Sequence, residues 1–193
     1  MDNAYFAASA EFVIGALFGL YILAVLLRLV LQWVRADFYN PISQFLVKVT
    51  SPTVVPLRRI LPSVGKIDTA SIALLFILQM VELLLKHIIV GQKYSIAGLA
   101  VGSCADLLAL LLNVFTFSIL IQVIFSWLGP GTYNPLTGLL HYLTEPLLRP
   151  VRRFVPLISG IDLSPLVVLI MLQLLQILLV APVDHLGRVL SQS

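Results

Sequence analysis

The chain has 193 residues, 60% of them hydrophobic and 11% charged, against about 25% charged in an ordinary soluble domain. Nine acids and twelve bases cannot cover a soluble globule of 21.2 kDa, which all but excludes a soluble enzyme and equally a disordered chain. The formal charge of +3 is too small for a nucleic-acid-binding protein, and a lone Cys104 excludes an internal disulfide framework, a cysteine-rich zinc site and a Cys-x-x-Cys pair. Composition leaves an integral membrane protein.

A spanning helix needs about 20 mostly apolar residues. The first candidate is 12–34, interrupted only by Arg28 and Gln32. It is too long for a cleavable signal peptide and lacks a positive leading segment. The second is 69–90, with Glu82, Lys86 and His87 in its last third. Residues 94–128 form an apolar stretch of 35, which as one helix would reach about 52 Å, too long for one crossing. The predicted crossing is therefore 106–128, after a loop or short interfacial segment over 94–105. The fourth is 163–183, with Pro182 near its end.

The chain is a duplication. A shift of 94 residues aligns Trp33 with Trp127, Tyr39-Asn40-Pro41 with Tyr133-Asn134-Pro135, and Thr50-x-Pro52 with Thr144-x-Pro146. It also aligns Pro56, Arg58-Arg59, Pro62 and Ile67-Asp68 with Pro150, Arg152-Arg153, Pro156 and Ile161-Asp162; 13 of the 36 positions from 33 to 68 are identical. Each copy reads as helix, long loop, helix, over 11–90 and 105–184. Two crossings per copy give both copies one orientation, so the repeat is parallel. The loop 35–68 holds Arg35, Lys48, Arg58, Arg59 and Lys66, and the loop 129–162 holds Arg149, Arg152 and Arg153. Eight of twelve bases thus lie on one side, and the positive-inside rule predicts cytoplasmic loops with both termini outside. Trp33, Tyr39, Trp127 and Tyr133 fall where an interfacial aromatic belt is expected. The expected fold is an all-α membrane protein of four transmembrane helices, arranged as two parallel helix–amphipathic loop–helix repeats.

Within the first loop Asn40 suits an N-cap and Pro41 the first helical position. Ile42, Phe45, Leu46 and Val49 then fall on one face, as do Leu136, Leu139, Leu140 and Leu143 in the second copy. Such a helix lies in the membrane interface or packs on the protein's own bundle. After a Pro-x-x-x-Pro break, a second short element over 56–62 sets Leu57, Ile60 and Leu61 against Arg58 and Arg59. Over 150–156, Val151, Phe154 and Val155 oppose Arg152 and Arg153. Arginine forks suit phosphate oxygens, and bases near an anionic leaflet gain about 1 kcal/mol each. Arg58, Arg59, Arg152, Arg153, Lys48 and Arg149 are therefore the predicted contacts to anionic lipid headgroups or a partner, the plainer reading being a topology signal alone.

A hydrophobic helix leading into Asp37-Phe38-Tyr39-Asn40-Pro41, then Pro56-Leu57-Arg58-Arg59-Ile60-Leu61-Pro62 and Ile67-Asp68, in two copies, resembles the YggT family of bacterial inner-membrane proteins. The likeness covers nearly the whole chain; the second copy departs in having Gly131-Thr132 where the first has Asp37-Phe38. The resemblance implies a membrane factor linked to osmotic-stress tolerance and cation homeostasis. Plastid and cyanobacterial relatives are linked to cytochrome b-type assembly, nucleoid distribution and division. It implies a membrane-protein or division/assembly partner and carries over no catalytic residue.

Ionisable groups within spans are functional candidates by default. Glu82 and Lys86 are spaced to pair, with His87 beside them. Arg28, about two turns inside the loop end of its helix, is expected to snorkel to phosphates. Asp106 and Asn113 share a face and are expected to bond to neighbouring helices. Gln79 and Gln173, repeat equivalents, are expected to bond across the pseudo-twofold axis. Gly15-x-x-x-Gly19 and Gly98-x-x-x-Gly102 permit close helix approach within or between chains, and Cys104 reads as an inert small residue. The sequence has no glycine-rich phosphate loop, no His-Glu-x-x-His and no framed carboxylate pair, so no catalytic residue, cofactor or metal is predicted. The expected function is a non-enzymatic scaffold or assembly factor, with a homo-oligomer among its partners. The alternative is an ion channel or transporter subunit formed by an oligomer.

Overall fold

The computed structural model describes residues 2–63, 68–127, 134–155 and 162–192, with side chains from Tyr5 onward. Among these residues every element is helical: α1 (Asp2–Trp33), α2 (Pro41–Ile60), α3 (Thr69–Val90), α4 (Ile96–Trp127), α5 (Pro135–Arg152) and α6 (Ser164–Gln192). Helices α1, α3, α4 and α6 are long and apolar enough to cross a membrane. Their largest apolar side chains, such as Phe12, Leu17, Leu20 and Leu178, are mostly exposed. That pattern suits a multi-pass membrane protein, whose outer faces meet lipid rather than water.

Helices α1 and α4 begin earlier than expected. The segment 94–105 is no loop: α4 starts at Ile96 and runs unbroken for 32 residues. Ser95 caps it, its hydroxyl accepting from Gly98 N at 3.0 Å and its carbonyl accepting from Leu99 N at 2.9 Å. The helix is about 48 Å long, more than the hydrocarbon thickness, so it tilts or projects. Helix α6 likewise outruns its predicted end at 183. A π-helical stretch, Gln176–Val180, sends Ala181 N back to Gln176 O, and the helix continues past Pro182 to Gln192. One widened turn thus accommodates Pro182, near which the span was expected to end.

The expected break between two short elements in each loop does not occur either. Helix α2 runs continuously through Pro52 and Pro56, and α5 through Pro146 and Pro150. The buried line Leu46, Thr50, Val54 passes straight across Pro52, while the prolines sit on the exposed side. There an outward-tilting carbonyl tolerates the missing donor, and inward packing offsets the proline penalty of about 3 kcal/mol. Both helices open as the repeat predicted: Asn40 Oδ1 accepts from Ile42 N at 2.9 Å and Asn134 Oδ1 from Leu136 N at 3.0 Å.

Of the two expected positions for these helices, α5 takes the inward one, with Leu139, Leu140, Leu143 and Leu148 buried. Helix α2 divides its apolar residues, burying Leu46 and leaving Phe45 62% exposed. Within each repeat the two spans pack together and the loop helix lies against the first of them; the repeats meet along α3–α4 and α1–α5. One core runs through the joint, including Ile22, Val25 and Leu26 of α1, Phe115 and Ile119 of α4, and Leu143 and Leu148 of α5. Asn40 ties the two loop helices directly, its Nδ2 donating to Pro135 O at 2.7 Å.

The glycine motifs part company. Gly98 and Gly102 lie against Gly187 and Ser191 of α6, so this close approach is made within the chain. Gly15 leaves room for the Lys86 ammonium, and Gly19 faces open space.

Candidate functional site

The polar residues concentrate where each loop helix meets its spans. In the first repeat Arg28 is only 7% exposed, and its Nη1 donates to Thr50 Oγ1 at 2.8 Å and Ser51 Oγ at 3.4 Å. The expected snorkelling to phosphates is thus replaced by a bond to α2, because the middle of α2 lies beside α1 rather than beyond its end. Tyr21 confirms the placement, its hydroxyl lying 2.5 Å from Thr53 Oγ1. Arg58 also turns inward, against the expectation of a lipid contact. Its Nη2 pairs with Asp68 Oδ2, its Nε lies 3.3 Å from Asp68 Oδ1, and Nη2 reaches Gln32 Oε1 at 3.4 Å. Asp68 is wholly buried, caps α3 through Ser71 N, and accepts from Ser71 Oγ at 2.7 Å. Burial pushes its carboxyl up, but hydrogen bonds from Arg58 and Ser71 outweigh burial and hold it below the usual range.

The second repeat builds the same junction from different residues. Thr144 donates to Gln122 Oε1, Gln122 standing where the first repeat has Arg28. Arg152 Nε pairs with Asp162 Oδ2 at 2.9 Å and its Nη1 with Glu145 Oε2 at 2.9 Å. Asp162 accepts from Ser164 N at 2.9 Å. Burial again opposes, but hydrogen bonds from Ser164 and Arg152 lower its carboxyl. Of the six predicted basic contacts, Arg58 and Arg152 are thus engaged within the chain, whereas Lys48, Arg59, Arg149 and Arg153 are exposed. Lys66, Tyr133, Pro156 and Ile161 lie outside the described residues.

The second polar group lies nearer the other end of α1. Lys86 Nζ pairs with Glu82 Oε1 at 2.6 Å as expected, against Gly15. Gln79 Nε2 donates to Asp106 Oδ2 at 3.1 Å, so it is not joined to Gln173, which faces outward. Gln176 takes the inward place instead, its Nε2 donating to Asn113 Oδ1 at 2.6 Å. Asp106 and Asn113 therefore bond to neighbouring helices, as their shared face predicted. Among the described residues no three His, Cys, Asp or Glu side chains gather as a metal site.

Sequence reasoning passed over Gln122, Thr50, Thr144 and Gln176. Their signal was the repeat itself: 94 residues separate Arg28 from Gln122, Thr50 from Thr144 and Glu82 from Gln176. The threonines are the same in both repeats, while their partners differ, Arg28 in the first and Gln122 in the second.

A family model described as CCB3/YggT matches residues 7–89 and again 101–183. The chain is 43% identical over 176 residues to the uncharacterized protein PA0392 of Pseudomonas aeruginosa, covering 89% of this chain and 88% of that one. It is 43% identical over 168 residues to an uncharacterized protein of the proC 3′ region in Vibrio alginolyticus, covering 86% and 90%. To the uncharacterized protein YggT of Escherichia coli K12 it is 39% identical over 163 residues, covering 83% and 84%. No solved structure matches the chain. Two tandem matches, each spanning one helix–loop helix–helix unit, place the chain in the CCB3/YggT family.

Proposed function

We propose that this chain is a non-enzymatic scaffold or assembly and homeostasis factor of the bacterial inner membrane, acting in osmotic stress and cation balance. Its loop helices face the cytoplasm, both termini face outward, and it contacts anionic headgroups or a partner through exposed bases. One observation carries the reading: in each repeat the first arginine of the pair is ion-paired to a carboxylate of the chain, while Arg59 and Arg153 are exposed and make no ion pair among the described residues. Lys48 and Arg149 extend the same basic surface. An arrangement needed only to set topology has no reason to divide each pair in the same way.

The variant R59Q/R153Q, reconstituted in vesicles mixing phosphatidylglycerol with phosphatidylcholine, is expected to retain the anionic lipid about 30-fold less than wild type, from about 1 kcal/mol per base. Cells carrying it should grow poorly after osmotic upshift. Unchanged lipid preference together with unchanged growth would reduce the basic surface to a topology signal. Selective ion flux through purified protein in liposomes would replace the scaffold reading with the channel one. For orientation, a reporter fused after the last residue should be active only when it functions outside the cytoplasm; activity of a cytoplasm-restricted reporter would invert the assignment.

A further inference from the structure

The two junctions differ in charge and in filling. In the first, Arg58 pairs with one carboxylate, Asp68, while a second guanidinium, Arg28, is held beside them by Thr50. In the second, two carboxylates, Asp162 and Glu145, share one guanidinium, Arg152, with the His141 imidazole 4.0 Å from Glu145 as the other basic group beside them. Counting ionised acids and arginines, the first junction carries a surplus cation and the second a surplus anion. The shift of 94 residues replaces Arg28 by Gln122, Gln32 by Ser126 and Ser51 by Glu145. The first two replacements shorten the side chains, and a cavity of about 330 Å³ lies there, lined by Gln122, Ser126, Trp127, Arg152 and Asp162 with an apolar wall. Small-molecule sites begin at about this size, roughly 300 Å³.

Arg152 and Asp162 line the cavity, and Glu145, which draws on Arg152 from outside the lining, sets the balance of charge there. An anion would compete for Arg152, which already serves two carboxylates. A cation instead meets a carboxylate whose counter-ion is shared, plus the Ser126 hydroxyl and the second lone pair of Gln122 Oε1, whose first takes the Thr144 hydroxyl. A primary ammonium has three donors to distribute among such acceptors. Trp127, 84% exposed at the end of α4, and Asp162, just before α6, set the cavity at the loop-side ends of the spans. That is where tryptophan marks the headgroup level. We propose that this cavity binds the primary ammonium of an aminophospholipid headgroup, occupying in the second repeat the place that Arg28 fills in the first. The site is separate from exposed Arg59 and Arg153, so its failure leaves the scaffold reading untouched.

The chain has two tryptophans, so W33F leaves Trp127 as the only one and makes its emission report on the cavity. Full-length W33F in detergent is titrated with short-chain phosphatidylethanolamine, phosphatidylcholine and phosphatidylglycerol, and with free ethanolamine. A saturable change is expected with phosphatidylethanolamine, at least tenfold tighter than with phosphatidylcholine, whose quaternary nitrogen donates no hydrogen bond, or with phosphatidylglycerol. Free ethanolamine should bind at least tenfold more weakly than the lipid; equal binding would make the occupant a soluble amine and overturn the headgroup assignment. Q122R, which restores the guanidinium of the first repeat, should abolish the response while the melting temperature holds; D162N should weaken it at least tenfold. If Q122R does not fold, S126V serves as the blocking variant. No saturable response, equal response to phosphatidylglycerol, or a response surviving the blocking variant overturns the proposal.

Discussion

Alanine at Gly187 is expected to lower the melting temperature of the detergent-solubilised protein more than alanine at any other helical glycine except Gly98. A Cβ on Gly187 would lie 2.9 Å from Gly102 N and 3.1 Å from Gly102 Cα; one on Gly98 would lie 2.8 Å from Ser191 N and 2.9 Å from Gly187 O. These are backbone atoms of the facing helix, so relief requires α4 and α6 to separate. Overpacking commonly costs about 1–3 kcal/mol, and separation of whole helices puts both variants at the upper end. Helix association in lipid has no hydrophobic drive to compensate, only packing and polar contacts. G102A should cost less, because its Cβ would meet only the flexible end of Leu83, at 3.0 Å. At Gly19 a Cβ meets nothing within 4 Å, so G19A should be neutral or gain a few tenths of a kcal/mol from helix propensity. Equal melting of G187A and G19A would show that the helices do not touch backbone to backbone.

The same glycines show where sequence reading stops. Gly98 and Gly102 were visible as a packing motif, but their partner, Gly187, lies 85 residues beyond Gly102, in a segment read as ending before it. Composition and hydropathy placed the four spans, and the duplication predicted the paired Asn-Pro helix starts, because those features are local or strictly periodic. Prolines 52, 56, 146 and 150 were read as breaks because local rules treat a proline as a stop; burial of Leu46, Thr50 and Val54 across them overrode that rule. Arg58 and Arg59 are adjacent in sequence and both fall on the side away from Leu57, Ile60 and Leu61, so periodicity alone gives them one fate. Asp68, ten residues on, separates them. Its signal was present in the duplicated Ile-Asp, yet nothing in spacing says that an acid after the helix turns back onto it.

The Arg58–Asp68 pair carries the second large effect. Asp68's side chain is 0% exposed and Arg58's 35%, whereas Arg152 and Asp162 are 38% and 31% exposed. Removing one member of a buried pair costs about 3–5 kcal/mol when the other is left uncompensated; an exposed pair gives about 0–1 kcal/mol. R58Q leaves the buried Asp68 carboxylate with only the Ser71 bonds and the more distant Arg28, and is expected to cost about 3 kcal/mol, measured as a fall in unfolding free energy in detergent at pH 7. D68N leaves an arginine that can still reach water and should cost less, and R152Q less than about 1 kcal/mol.

The pH dependence separates these variants further. In the wild type the Asp68 carboxyl is held below its unfolded value, so its contribution is complete above about pH 4 and is lost as pH falls through the depressed native value. In R58Q burial still pushes the carboxyl up and the Ser71 bonds still pull it down, but the lowering by Arg58 is gone, so the native value rises relative to the wild type and the folded state loses less on protonation. The deficit of R58Q should therefore shrink on acidification, as the wild type loses the Asp68 contribution that the variant already lacks, whereas R152Q, with water at both partners, should keep a small deficit throughout. Equal costs for R58Q and R152Q, or a gap that widens on acidification, would mean that burial of Asp68 does not distinguish the junctions. Confirmation would leave the first junction as a fixed structural joint and the second as the one with ionic capacity to spare.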